Sequence, residues 1–264
     1  ACILLAATSL SAPGAGPTTR PVSLSTELYN ATPYRIPGSL RATMVYTQWL
    51  YPDGADRSRD PDPFFLARQS RVWPGGVLTV LDYEPPAPSD FLSHVDWDAR
   101  STPGTVAANI ARYARIAQKV HTLRPDLKIS FFGATIIDDY DYGQGEATDI
   151  RRTRSNSTNT KALKPIADQC DFITIPVYRD TRETDAGYDA HTKRRLLLGR
   201  AWGKKVIAVL CPDPEGRSIP VATFVSDVQW STRFADAVMI WQGNGRGNKP
   251  AWIKPLVAAL IRPE

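Results

Sequence analysis

The sequence predicts an α/β protein, most simply a (β/α)8-type TIM barrel, from three observations. Six short apolar runs alternate with longer segments of helical character. Each run is apolar at consecutive positions, as expected of strands covered on both faces in a parallel sheet. No glycine-rich turn follows the first strand, where an open doubly wound sheet that binds nucleotides carries one: "WLYPDGADRSRD" follows the first run and "DYEPP" the second. Six strands are two short of eight. Either the barrel is abbreviated or irregular at its N-terminal strands, or the missing strands lie within residues 20–60.

In chain order, "RATMVYTQWL" (Arg41 to Leu50) is the first expected strand and "DPFFLARQSRVW" a short helix. "GVLTVL" (Gly76 to Leu81) is the second strand. The segment "TPGTVAANIARYARIAQKVHTLRP" has apolar residues at helical spacing, Thr102 as N-cap before Pro103, and Pro125 as its stop. "LKISFFGATI" is a strand, and "NTKALKPIADQC" a helix with an internal proline. The strand "DFITIPVY" precedes the helix "DAHTKRRLLLGRAWG", which Gly203 ends. "KKVIAVLCP" and "ADAVMIW" are strands on either side of the helix "PVATFVSDVQWSTRF". A last helix covers "PAWIKPLVAALI".

With 264 residues, 42% of them hydrophobic, the chain is long enough to bury a real core. The opening "ACILLAATSLSAPGAG" has the apolar centre and small-residue exit of a secretory signal, and "PGAGPTTRP" that of a tether. Residues 1–36 are therefore expected to be signal remnant and tether, residues 37–264 a single barrel domain, and the protein secreted or held in the cell envelope. No segment is apolar for long enough to span a membrane comfortably. The net charge of +5 is mild at this length, and the basic cluster "IRRTR" lacks the interleaved aromatics of a nucleic-acid groove. Cys2, Cys170 and Cys211 form no metal spacing, and His94, His121 and His191 are scattered, so no metal or cofactor is expected. Cys170 and Cys211 are expected to be buried small hydrophobes.

Acids one residue apart recur, at Asp60/Asp62, Asp82/Glu84, Asp96/Asp98, Asp139/Asp141, Glu183/Asp185 and Asp213/Glu215. Location separates them, because only Asp82 and Glu84 directly abut an apolar strand. Alternation along an extended chain puts both on one face and Tyr83 on the other. In a barrel, acids ending a strand point into the mouth where substrates are transformed. Two neighbouring carboxyls cannot both ionise easily, and one protonated beside one ionised suits cleavage of a glycosidic bond. Asp139, after the next strand, is expected either to bind substrate or to sit in a solvated loop. Tyr46, with Gln48 and Trp49, is expected to add contacts at the rim or to serve as ordinary strand residues.

These residues resemble a family. "VLTVLDYEPP" is similar to the strand of hyaluronidase-type glycoside hydrolases that ends in Asp-x-Glu. "ITIPVY" is similar to that family's strand ending in Pro-Ser-x-Tyr, and "FADAVMIWQGNG" to its last-strand motif. The order agrees across residues 77–243, and Asp-x-Glu is shared with chitinase-like and lysozyme-like barrels. The resemblance implies Glu84 as general acid/base and Asp82 as the group that orients a substrate acetamido nucleophile. It implies Tyr178 as that group's hydrogen-bond partner and Trp241 as the wall of the sugar pocket. Gln242 stands where the family has glycine and is expected to touch substrate. The implied partner is a polysaccharide with N-acetylated sugars. A peptidoglycan-cleaving muramidase and a catalytically silent glycan-binding barrel are the alternatives.

Overall fold

The computed structural model describes residues 27–57, 59–83, 103–135, 161–179, 183–213, 218–242 and 250–261. The expected signal and most of the tether, the Thr102 cap, Glu84 and Asp139 lie outside the described residues. Among the described residues seven strands run parallel: β1 (Glu27–Asn30), β2 (Leu40–Tyr46), β3 (Leu78–Asp82), β4 (Lys128–Phe131), β5 (Ile173–Pro176), β6 (Val206–Leu210) and β7 (Ala237–Ile240). Their order in the sheet is β4-β3-β2-β1-β7-β6-β5. The helices are α1 (Thr47–Leu50), α2 (Pro63–Ser70), α3 (Pro103–Leu123), α4 (Lys164–Gln169), α5 (Asp185–Arg200), α6 (Val221–Ser231) and α7 (Ile253–Ile261).

The sheet curls until its edges meet, giving a nearly closed, abbreviated TIM barrel. Between β4 and β5 the ladder is a single bridge, Phe132 to Thr174. Side chains reinforce this seam: Thr174 Oγ1 donates to the Phe131 carbonyl at 2.7 Å, and the Ile129 amide donates to Asp171 Oδ2 at 2.8 Å. Gly133 lets the chain turn away immediately after the bridge. Its φ is +66°, and an added Cβ would meet Pro176 Cγ at 3.1 Å.

Two apolar layers hold the barrel. Inside, Tyr29, Ala42, Met44, Val80, Ile207, Val209 and Met239 fill the lumen. Outside, the alternate residues Val45, Leu81, Ile129, Ile175, Ala208 and Val238 pack under the helices, with Ile116, Leu196 and Phe224. This inside–outside alternation is the period of two that extended chain imposes, with both faces dry.

Three sequence expectations shift. β1 lies within the stretch assigned to the tether, so the barrel is under way by residue 27. Its four residues pair β2 on one side and β7 on the other. The strand expected over 41–50 ends at Tyr46 and breaks into α1, because Thr47 Oγ1 donates to the Asp82 carbonyl at 2.9 Å and Leu50 is fully buried. Pro165 lies in the first turn of α4 rather than inside it, where its missing N–H costs no helical bond.

Candidate active site

All strands being parallel, their C-terminal ends gather at one mouth of the barrel, and the lumen-facing period continues past several of them. From β2 comes Tyr46, from β3 Asp82, after β4 Phe132, after β5 Tyr178 and after β7 Trp241. Tyr46, Phe132, Tyr178 and Trp241 pack onto the lumen cluster. Tyr46 and Asp82 are register partners on adjacent strands.

The rings form one assembly. Tyr178 and Trp241 stack with centroids 5.9 Å apart and planes 12° from parallel. Phe132 lies 6.0 Å from the first ring and 6.2 Å from the second. The Trp241 indole N–H donates to Tyr46 Oη at 3.0 Å. Burial pushes the Tyr46 phenol above its ordinary pKa; the indole N–H opposes it, and the charge of Asp82 pushes the same way as burial. The phenol therefore keeps its proton at neutral pH, and the negative field of Asp82 reaches it.

Tyr83 points the other way. Its ring packs between Tyr51, 5.6 Å away, and Tyr113, 4.8 Å away, under the helices. The Tyr113 hydroxyl donates to the Tyr83 carbonyl at 2.8 Å. The alternation expected at the end of this strand thus holds for Asp82 and Tyr83.

The segment bearing Tyr178 is clamped from below. Arg179, buried, grips both oxygens of Asp227 at 2.8 and 2.6 Å and reaches Asp185 at 2.9 Å. Its guanidinium also lies 4.3 Å from the centre of the Tyr188 ring, and Tyr188 donates to the Val177 carbonyl at 3.0 Å. Burial disfavours the guanidinium charge, but the hydrogen bonds and charge of Asp227 outweigh it and Arg179 stays protonated. A planar fork on a carboxylate is rigid, so the adjoining Tyr178 inherits a fixed backbone.

Sequence reading missed one polar group here. Gln242 Nε2 donates to Asp213 Oδ2 at 2.9 Å, and the Cys211 thiol to Asp213 Oδ1 at 3.4 Å. Asp213 belongs to one of the acid pairs that spacing alone does not distinguish, yet it follows β6 by only three residues. The position of Asp82 at a strand end was the signal that should have extended to it. Gln242 Oε1 is buried without a protein partner among the described residues, an acceptor available to a ligand donor. Cys170 and Cys211 are both buried thiols outside any disulfide, as expected.

The described residues contain no group of His, Cys, Asp and Glu arranged to hold a metal, and no helix among them is long and apolar enough to cross a membrane. In sequence, no family model and no curated protein matches the chain. In structure, it superposes on bee venom hyaluronidase with a TM-score of 0.62 at 12% identity, covering 90% of this chain and 100% of that one. A second bee venom hyaluronidase structure, in complex with a hyaluronic acid tetramer, gives a TM-score of 0.57 at 12% identity over 83% and 90% of the two chains. The fold is hyaluronidase-like. At this identity the likeness is one of architecture, and it agrees with the fold expected from the strand motifs.

Proposed function

We propose that the protein is a secreted glycoside hydrolase that cleaves a polysaccharide containing N-acetylated sugars. The observation that carries this reading is the mouth itself, where the stacked Tyr178–Trp241 pair and the Trp241–Tyr46 hydrogen bond meet the Asp82 end of β3. Flat aromatic walls suit the C–H faces of sugars, phenol and carboxyl groups suit their polar edges, and the mouth of a barrel is where such folds work. The hyaluronidase-like architecture and the Asp-x-Glu sequence that begins at the last residue of β3 support the same assignment.

Glu84, two residues beyond Asp82, is assigned as general acid/base. It gives its proton to the glycosidic oxygen as the bond from the anomeric carbon to that oxygen breaks. The substrate's own acetamido carbonyl oxygen attacks the anomeric carbon from the opposite face. Asp82 takes the acetamido N–H and stabilises the positive charge that develops, and the Tyr178 hydroxyl holds the same group. Glu84, now a carboxylate, then takes a proton from water. That water attacks the anomeric carbon and releases the acetamido oxygen, with net retention. Trp241 walls the sugar, while Tyr46, Gln242 and Asp139 contact its edges.

The experiment is a screen of the purified protein on hyaluronan, chitin oligosaccharides and peptidoglycan, with Glu84→Gln as control. New reducing ends from at least one N-acetylated substrate, of retained configuration and lost in the variant, are the expected result. Release from peptidoglycan alone would favour a muramidase. Intact glycan after long incubation with the parent protein would favour a silent binding barrel and sink the hydrolase assignment.

A further inference from the structure

Trp49 leaves 40% of its surface exposed. Single exposed apolar residues are ordinary on proteins, and Phe64 and Val72 are more exposed still, at 85% and 78%. Exposure alone therefore means little. What distinguishes Trp49 is how it is held and what it touches.

Helix α1 is a single turn pinned at both ends. Thr47 donates to the Asp82 carbonyl at its start, and Leu50 is fully buried at its end. The Tyr51 amide closes the turn on the Thr47 carbonyl at 2.9 Å, and Tyr51 stacks on Tyr83. Between those anchors Gln48 and Trp49 face solvent. The indole of Trp49 stands edge-on to Tyr46, centroids 5.9 Å apart and planes at 86°. Tyr46 takes the Trp241 N–H, and Trp241 stacks on Tyr178. An unbroken run of four aromatic side chains therefore leads from inside the mouth out to its rim beside β2.

We propose that Trp49 is the platform of an outer sugar subsite, which binds a further pyranose unit of the polysaccharide held in the mouth. The proposal rests on the glycan-cleaving reading above and adds to it a preference for long chains. A pyranose ring presents a face of C–H bonds that packs on an indole, and a ring already fixed by its backbone loses little freedom on binding. A short oligosaccharide fills the inner aromatic pocket and never reaches Trp49. A longer one does, so the contact of Trp49 shows only with chain length.

The test is calorimetric binding to Glu84→Gln protein, so that sugar is not consumed, using hyaluronan and chitin oligosaccharides from disaccharide to decasaccharide. Adding Trp49→Ala is expected to weaken the decasaccharide about tenfold, or ~1.4 kcal/mol, and the disaccharide by less than about twofold. Trp49→Phe recovers most of the loss, and the thermal midpoint of both variants matches the parent. Equal weakening at both lengths, or none at either, overturns the proposal. Failure of the parent to bind either series overturns it together with the glycan reading. Continued cleavage by Glu84→Gln removes the acid assignment, while a length-dependent Trp49 effect still stands.

Discussion

The two ends of the barrel use acidic residues in opposite ways. At the N-terminal end the acids stand just before strands and are tied down. Asp171 precedes β5 and accepts the Ile129 amide; Asp236 precedes β7 and accepts the Val206 amide at 2.8 Å. Each also faces a cation, Lys128 at 3.5 Å for the first and Arg200 at 3.0 Å for the second. Glu27 of β1 pairs with Lys205, and its carboxyl is held below the ordinary 4.5 chiefly by that bond and by the Tyr29 hydroxyl. Asp171 and Asp236 thereby hold an amide at the start of the neighbouring strand, Ile129 in β4 and Val206 in β6. At the C-terminal end, Asp82 closes β3 as the register partner of Tyr46, and Asp213, three residues past β6, accepts from the Gln242 amide. One end ties its carboxylates to backbone amides and basic side chains, which stabilises the fold; the other sets them beside a phenol and an amide that suit a ligand.

Removing the ring at the mouth should produce the largest effect. Trp241→Ala takes away both the stacking partner of Tyr178 and the hydrogen bond to Tyr46, and kcat/KM on the substrate found by screening is expected to fall about a hundredfold, ~2.7 kcal/mol. Trp241→Phe, which keeps a ring and loses only the N–H, should fall less. Equal activity of all three proteins would remove the ring assembly from catalysis.

At the other end the effect moves from rate to stability. Asp236→Ala removes the acceptor of the Val206 amide and the ion pair of Arg200, which keeps its bond to the Phe234 carbonyl, and is expected to cost about 1–2 kcal/mol, read as a thermal midpoint lowered by a few degrees. Turnover per folded molecule should be unaffected. A loss of kcat at unchanged midpoint would erase the division between the two ends.

The smallest effect is a pH dependence. Because the folded pKa of Glu27 is depressed, its pairing stabilises the fold fully above the unfolded value and loses that contribution as pH falls through the folded one. The thermal midpoint should therefore drop below about pH 5, and Glu27→Gln should drop slightly less steeply. The group is partly exposed, so salt should blunt the difference. Parallel midpoint curves for the two proteins would show that Glu27 contributes nothing.

The contrast also explains what the sequence made legible. Strands β2 to β7 announced themselves because both their faces are buried, leaving consecutive apolar residues. β1 did not: "ELYN" carries a glutamate that pairs with Lys205 and an asparagine that bonds the Tyr34 carbonyl at 2.6 Å, and only pairing with β2 and β7 makes it a strand. At the mouth, Asp82, Tyr178 and Trp241 were visible because each ends or directly follows an apolar run. Asp213 was hidden behind Cys211 and Pro212, and its partner Gln242 lies 29 residues on. Phe132 had the look of strand core, which its neighbour Phe131 is. The clamp between Arg179 and Asp227 spans 48 residues and leaves no local pattern. Local periodicity reports faces; it does not report which ends of different strands meet.

The most direct test compares Glu84→Gln, the acid proposed to act at the mouth, with Asp236→Ala at the base, for turnover and thermal midpoint on the same substrate. The mouth variant is expected to lose at least about a thousandfold in kcat, ~4 kcal/mol, with its midpoint unmoved. The base variant should show a lowered midpoint and normal kcat. Retention of kcat by Glu84→Gln, on a substrate the parent hydrolyses, would contradict the assignment of the mouth as the place where the bond is broken.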